Sequence, residues 1–264
     1  MIDSLGKIKR LNKIFKDNGK TFMVPIDDLL ISGPENHLSN FEQKVLLFDK
    51  LPIDAVLGYP GFFYQFHESL KNKAWIFNLT TSTKFNNYTH KMQSLSLQNA
   101  IYNGADAVAV HVNISSPNEN EMIKTLGSVS CECQSLGIPL MAIMYVRHPS
   151  QNNDDNYEIL KRENNEQYVA MVAHACRVAV ELGADIIKTS YTGTPEGFKK
   201  VIKASGNVPI IISGGEIVSE DEALNNISGA ISVGSSGICF GRNFFTRNDV
   251  VDFSRKVNTI IQNG

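Results

Sequence analysis

The sequence predicts an α/β protein built as a single-domain (β/α)8 TIM barrel. Eight short apolar runs recur along the chain, each separated from the next by a stretch long enough for a helix. Most runs are continuously apolar, for example VAVHV, LMAIMYV and VPIII, as in parallel strands that are buried on both faces. A length of 264 residues is usual for one such barrel, whereas an open doubly wound sheet usually has fewer strands.

The predicted strands follow one another along most of the chain. They occupy Thr21–Asp27, Asp54–Pro60, Ala74–Thr80, Ala107–Ile114, Pro139–Val146, Asp185–Tyr191, Val208–Gly215 and Gly229–Ser235. The clearest helix is predicted over 166–182, where apolar side chains return every three or four residues and Gly183 gives a stop signal. Gly-Ala-Asp or Gly-x-Pro stands at the start of a strand at 104–106, 137–139 and 183–185. One β-α unit is therefore repeated.

The remaining segments are predicted to belong to the same domain, which spans 1–264. The polar segment 149–166 is predicted to be a long surface loop, because β-α units continue on both sides of it. Residues 1–20 are predicted to form an N-terminal helical extension of the barrel. Composition shifts nowhere enough to mark a domain boundary.

Composition favours a small-molecule partner. Twenty-five Lys and Arg against 27 Asp and Glu give a net charge of −2, without the basic excess that nucleic acid or an anionic membrane requires. No signal peptide or 18-residue apolar run is visible, so we expect a cytoplasmic protein. The four cysteines are too few for a disulfide framework, and Cys131-Glu132-Cys133 lacks a second pair at zinc spacing. We expect reduced thiols, no metal and no cofactor.

In a barrel the catalytic groups lie at the C-terminal ends of the strands, and Lys188 is the most informative residue there. It stands in an apolar strand, where an ammonium is costly unless it is paired or functional. Burial and a nearby cation such as Arg147 would lower its pKa and free a lone pair that attacks a substrate carbonyl to form a Schiff base. The alternative is a structural lysine whose ammonium pairs with Asp27 or Asp28.

Schiff-base chemistry also needs a group that moves protons, and two strand ends offer one. Tyr145 stands at the end of the fifth strand and Asp27 at the end of the first, and they are the candidate acid and base. The alternatives are a tyrosine with a structurally bonded hydroxyl and an aspartate that caps the next helix. His111, inside VAVHVN, is more typical of a hydrogen-bonded barrel-layer residue than of a catalyst.

Glycine-rich turns follow the last two strands and predict a phosphate site. Ser213-Gly214-Gly215 ends the seventh strand, and Gly241-Arg242 follows the eighth. Glycine lets backbone N–H groups approach a phosphate, a helix N-terminus adds partial positive charge, and Arg242 adds a guanidinium. Phosphate sites recur after strands 7 and 8 of this architecture. Plain turn glycines are the alternative.

These residues together resemble a class I aldolase family. That family joins archaeal-type fructose-bisphosphate aldolases, aminodideoxyheptulosonate synthases and the autoinducer-processing thiolase. The similarity spans roughly 25–245, and the matching motifs occur in the family's order. They are Gly104–Asn113, Pro139–Tyr145, His174–Thr189, Ser213–Gly215 and Gly241–Asn243.

The resemblance implies a role for each candidate residue. Lys188 would form the Schiff base, Tyr145 would donate the proton, and Asp27 would be the carboxylate at the end of the first strand. The phosphate would be held by Ser213, Gly214, Gly215, Gly241 and Arg242. Asp28, His111 and Arg147 complete the predicted substrate-binding set.

Two departures from the family pattern are visible. Asp27-Asp28-Leu29 replaces the usual Asp-His-Gly, and Arg147-His148 stands where Arg-Gly is common. The nucleophile is unaffected, so these changes point to a different second substrate and to a biosynthetic relative.

The resemblance predicts a class I aldolase that makes or breaks a C–C bond in a phosphorylated ketose, such as a dihydroxyacetone phosphate adduct. Its substrates would be that ketose and an aldehyde, and we expect a homo-oligomer. Three alternatives stay open: a synthase-like transfer of a three-carbon unit, an isomerase or lyase that uses acid and base groups alone, and a non-catalytic barrel that binds a phosphometabolite.

Overall fold

A computed structural model describes residues 4–33, 40–85, 89–147 and 158–264, and it confirms the predicted (β/α)8 barrel. Eight parallel strands close in chain order, and β1 pairs with both β2 and β8. The strands are β1 (Thr21–Pro25), β2 (Ala55–Gly58), β3 (Ala74–Asn78), β4 (Ala107–Ile114), β5 (Leu140–Val146), β6 (Ile186–Ser190), β7 (Ile210–Ser213) and β8 (Gly237–Cys239). A small antiparallel hairpin follows β3, and its two strands are Thr80–Thr81 and Met92–Gln93.

Helices surround the strands and cover their outer face. They are α1 (Leu5–Ile14), α2 (Asp28–Ser32), α3 (Phe41–Val45), α4 (Pro60–Leu70), α5 (Leu97–Tyr102), α6 (Glu119–Leu136), α7 (Glu158–Glu163), α8 (Asn165–Glu181), α9 (Pro195–Ser205), α10 (Glu220–Ser232), α11 (Arg242–Phe245) and α12 (Val250–Asn263). The helix predicted at 166–182 is α8. Within the described ranges, no helix combines the length and apolarity needed to cross a membrane.

The predicted position of the eighth strand is wrong. Residues 229–232 end α10, and the strand is the shorter segment Gly237–Cys239. Ala230 continues the helical spacing of Ala223 and Ile227 and packs with them into the core, so the first half of the run that suggested a strand belongs to the buried face of a helix.

The predicted loop over 149–166 is partly wrong, because 158–163 form α7 and Asn165 begins α8. Asn164 caps α8 by accepting the Gln167 N–H at 3.2 Å. The rest of that predicted loop, 149–157, and His148 before it lie outside the described residues.

The lower half of the barrel lumen is filled by apolar side chains. Met23, Ala55, Ile143 and Ile211 are among the lumen residues that are at most 1% exposed. At the N-terminal end of the strands, Ile14 of α1 packs against this cluster and closes it. The open space is therefore at the C-terminal ends of the strands.

A ring of aspartates and lysines secures α1 to the barrel floor. Asp54, Asp106 and Asp185 each stand directly before an even-numbered strand. Each carboxylate accepts a backbone N–H from the preceding strand at 2.7–2.8 Å and pairs with a lysine at 2.6–3.4 Å. The N–H donors are Phe22, Trp75 and Leu140, and the lysines are Lys16, Lys13 and Lys7. The aspartates of the two Gly-Ala-Asp sequences, Asp106 and Asp185, therefore join neighbouring strands to each other and to α1. Asp54 joins its strands to Lys16, which follows α1.

We expect Asp185→Ala to lower the free energy of unfolding by about 3 kcal/mol, because it removes the carboxylate from the buried Lys7 ammonium and from the Leu140 N–H. Chemical denaturation measures this loss. Glu181→Ala is the control: its partner Arg177 is exposed, so the expected loss is under about 1 kcal/mol. Equal losses in the two variants would contradict a structural role for the floor.

Candidate active site

A cavity of about 550 Å³ opens at the C-terminal ends of the strands and brings together every predicted site residue. Its wall includes Asp27, Asp28, His111, Tyr145, Arg147, Lys188, Ser213, Gly214, Gly215, Gly241 and Arg242. These residues come from six different strand ends, and parallel strands in a barrel place all such ends on one face.

Lys188 projects from β6 into the lumen and is 5% exposed. In β6 it pairs with Ile143 of β5 and Ile211 of β7, both lumen residues. Among the described residues, no carboxylate forms an ion pair with its amine within 4.0 Å. The geometry therefore does not support the alternative of a structural lysine clamped by Asp27 or Asp28.

The prediction that Lys188 has a lowered pKa is wrong. Burial lowers the pKa, but Cys239, whose thiol hydrogen-bonds the amine, together with Tyr145 and Asp27 raises it above the ordinary value. Burial raises the pKa of Cys239 itself to about 11. Only an unprotonated amine attacks a carbonyl, so an ammonium at Lys188 must lose a proton before the reaction begins.

Arg147, the expected source of that lowered pKa, faces other groups. Its Nε donates to Asn113 Oδ1 at 2.7 Å, and its guanidinium lies 5.3 Å from the centroid of the Tyr145 ring. The charge of Arg147 acts instead on His111.

Asp27 occupies the N-cap position of α2, yet its side chain makes no capping hydrogen bond. The carboxylate lines the cavity, is 8% exposed and accepts a hydrogen bond from Asn78 Nδ2 at 2.9 Å. Asn78 in turn accepts the Thr80 N–H and hydroxyl through its Oδ1. Asn78, which Thr80 holds in place, thus holds the Asp27 carboxylate at the cavity wall, and this disfavours the capping alternative.

Tyr145 and His111 meet edge to face, with ring centroids 5.0 Å apart at 83°. His111 Nε2 lies 3.0 Å from Asn113 Oδ1. Burial and the neighbouring Lys91, Arg147 and Lys188 hold the pKa of His111 well below its usual range, so it is neutral. In the described part of the chain, no residue hydrogen-bonds the Tyr145 hydroxyl, which therefore stays available to a substrate.

The turns after β7 and β8 form one side of the cavity. Ser213 Oγ is buried and has no hydrogen-bond partner among the described residues, although it borders this space. Gly215 has φ +60°, a conformation that favours glycine. At Gly241 a Cβ would lie 3.0 Å from the Pro25 carbonyl oxygen, so only glycine fits there without a shift. Arg242 begins the single turn of α11 beside these glycines.

Sequence patterns missed four further residues around the cavity. Lys84, Lys91 and Cys239 line it, and Asn78 holds Asp27. Asn78 ends β3, so the same strand-end rule that selected Tyr145 had a signal for it. Lys84 and Lys91 stand in the hairpin region after β3, away from the C-terminal end of any barrel strand. Cys239 ends β8, which the sequence analysis placed earlier in the chain.

Comparisons with known proteins show one matching family and several relatives. The DeoC/LacD aldolase family matches residues 21–247. The chain is 32% identical to a 2-amino-3,7-dideoxy-D-threo-hept-6-ulosonate synthase of Halobacterium salinarum over 91% of this chain and 85% of that protein. It is 27% identical to a class 1 fructose-bisphosphate aldolase of Thermoproteus tenax over 96% of this chain and 93% of that protein.

Two solved aldolase structures are also similar to this chain over nearly its whole length. An archaeal fructose 1,6-bisphosphate aldolase superposes with a TM-score of 0.84 at 26% identity, covering 98% of this chain and all of that one. A Schiff-base-forming fructose-1,6-bisphosphate aldolase gives 0.83 at 25% identity, covering 97% of this chain and 99% of that one. The family resemblance and the enzyme class predicted from the motifs are confirmed: the chain belongs to the DeoC/LacD family of aldolases.

Proposed function

We propose that Lys188 is the nucleophile of a class I aldolase that acts on a phosphorylated ketose. The observation that carries this proposal is the buried Lys188 amine, which faces the cavity without a carboxylate ion pair in the described residues and shares its wall with the Ser213–Gly215 turn. The amine attacks the ketone carbon, and the resulting carbinolamine loses water to give an iminium. When the C–C bond breaks, its electron pair moves into the iminium and leaves an enamine and an aldehyde.

Proton transfers in this reaction fall to Asp27 and Tyr145. The Asp27 carboxylate, which lines the same cavity as Lys188, accepts the proton that the amine must give up. The Tyr145 hydroxyl donates a proton to the departing carbinolamine hydroxyl. It takes a proton back from the substrate hydroxyl on the carbon that becomes the aldehyde when the C–C bond breaks. Neutral His111 packs against the Tyr145 ring and keeps it directed into the cavity.

The phosphate is bound by the turns after β7 and β8. The unpartnered Ser213 hydroxyl, the glycine backbones at 214, 215 and 241, and the Arg242 guanidinium supply donors of the kind a phosphate dianion prefers. We expect Ser213→Ala with Arg242→Met to raise KM for a phosphorylated ketose about 10- to 100-fold. Steady-state kinetics test this. An equal change with dihydroxyacetone, which lacks the phosphate, would contradict it.

The second substrate is proposed to differ from that of the glycolytic aldolases. Asp28 and Leu29 replace the family's His and Gly, and Asp28 Oδ1 accepts the Ser32 hydroxyl at 3.0 Å inside the cavity wall. A Streptomyces griseus relative, 30% identical over 94% of this chain and 86% of that protein, is a 2-amino-4,5-dihydroxy-6-oxo-7-(phosphonooxy)heptanoate synthase. We therefore propose a biosynthetic condensation of dihydroxyacetone phosphate with an aldehyde. The alternative is a synthase-like transfer of a three-carbon unit.

The direct test incubates the protein with dihydroxyacetone phosphate and a panel of aldehydes that includes aspartate semialdehyde, with products identified by mass. A new seven-carbon phosphorylated product supports the condensation. Ligand binding by calorimetry without turnover of any ketose phosphate would instead favour a non-catalytic barrel. A cytoplasmic location and a homo-oligomeric state stay predictions, and sedimentation measures the second.

A further inference from the structure

Asn243 lies behind the turn that follows β7 and holds it from the side opposite the cavity. It is fully buried in α11 and does not border the cavity, whereas Gly214 and Gly215 do. Its Nδ2 donates to the carbonyl oxygens of Gly214 at 2.8 Å and Glu216 at 2.6 Å. Its Oδ1 accepts the Val218 N–H at 3.0 Å. One amide thus fixes three backbone groups of the same turn.

Arg247 fixes the Asn243 amide in turn. One guanidinium nitrogen donates to Asn243 Oδ1 at 3.0 Å, and Nε donates to the Asn243 backbone oxygen at 2.9 Å. The guanidinium also lies 5.2 Å from the centroid of the Phe253 ring. Because Arg247 occupies the carbonyl end of the amide, the NH₂ end must face Gly214 and Glu216.

The hydrogen bond from Asn243 to the Gly214 carbonyl determines the direction of the Gly215 N–H. In a trans peptide the C=O and the N–H of one peptide group point in opposite directions, and the described chain has no cis peptide. The Gly214 oxygen points toward Asn243, which does not border the cavity, so the Gly215 N–H points away from Asn243. Among the described residues, nothing accepts a hydrogen bond from the Gly215 N–H.

The close approach between the turn and Asn243 favours glycine at 214. A Cβ there would lie 3.3 Å from Asn243 Nδ2 and 3.2 Å from Phe240 Cγ. We propose that Asn243 is a positioning residue that aims the Gly215 N–H at the phosphate of the substrate. This inference rests on the proposed function, because it assumes that the turn after β7 binds phosphate.

Asn243→Asp tests this role, because it replaces the NH₂ donor with an oxygen that repels the Gly214 and Glu216 carbonyls. We expect kcat/KM for dihydroxyacetone phosphate to fall about 10- to 100-fold, and the Kd of inorganic phosphate, measured by calorimetry, to rise by a similar factor. The kcat/KM for dihydroxyacetone is expected to change less than about threefold. The matched control is Asn165→Ala, which removes an amide that supports the Thr192 carbonyl on the neighbouring loop, and it should leave the ratio of the two substrates unchanged.

Arg247→Met keeps the donor and loosens its orientation, so it should show a smaller loss with the same selectivity for the phosphorylated compounds. It decides the question if the Asn243→Asp variant fails to fold. Equal losses for dihydroxyacetone and its phosphate, with unchanged phosphate affinity, would overturn the proposal. A different result would show that the proposed function is wrong, because the wild-type protein would then form no borohydride-stable adduct on Lys188. The phosphate titrations would still test the role of Asn243 in that case.

Discussion

Lys188→Arg is expected to lower aldolase turnover by about 10⁴-fold or more, since a guanidinium does not form the imine on which bond cleavage depends. The substitution keeps a positive charge in the lumen, where Lys188 is 5% exposed beside Cys239 and Asp27. It therefore separates nucleophilic chemistry from simple electrostatics. Turnover of the phosphorylated ketose, measured with a coupled assay for the released aldehyde, gives the result.

The control for this variant is Lys203→Arg on the exposed face of α9, which should keep full activity. Thermal unfolding of both variants verifies that the barrel remains folded. Retention of a few per cent of wild-type turnover by Lys188→Arg would contradict the Schiff-base account. That outcome would favour an isomerase or lyase that uses acid and base groups alone.

Tyr145→Phe is expected to lower kcat by about 10²- to 10⁴-fold, the usual contribution of a general acid–base group. The phenyl ring keeps the edge contact with His111 and the stacking with Arg147, so the variant removes the hydroxyl and little else. Since the nucleophile remains, Lys188 should still react with the ketone, and dehydration of the carbinolamine should become slow. Single-turnover kinetics with quench and mass analysis measure that accumulation.

Tyr102→Phe serves as the control, because Tyr102 is 86% exposed and stands on α5, outside the cavity. It should leave kcat unchanged. A Tyr145→Phe variant with wild-type kcat would show that another group, with Asp27 as the first candidate, moves the proton. The hydroxyl of Tyr145 would then serve in substrate binding alone.

Most of the barrel was predictable because its strands are buried on both faces and appear as continuous apolar runs. The eighth strand was misplaced because it has three residues and follows a helix whose buried face, near Ile227 and Ala230, is equally apolar. The N-terminal helix was predicted, but its lysine contacts with Asp106 and Asp185 span 93 and 178 residues. No local pattern encodes pairs at such separations.

The site could be predicted as a set of residues but not as an electrostatic environment. Because strand ends converge on one face, we expected to find Lys188, Tyr145 and Asp27 together, and all three line the cavity. The pKa of Lys188 depends on Cys239, two strands away around the barrel, and its sign was therefore predicted wrongly. Asn243 belongs to a motif already visible in the sequence, yet its partners Gly214 and Glu216 lie 29 and 27 residues earlier.

Borohydride reduction in the presence of dihydroxyacetone phosphate tests the covalent intermediate directly. We expect a stable adduct with the mass of the reduced imine, located by peptide mapping on Lys188 and absent from Lys188→Arg. An active enzyme whose Lys188 stays unmodified after this treatment would contradict the mechanism.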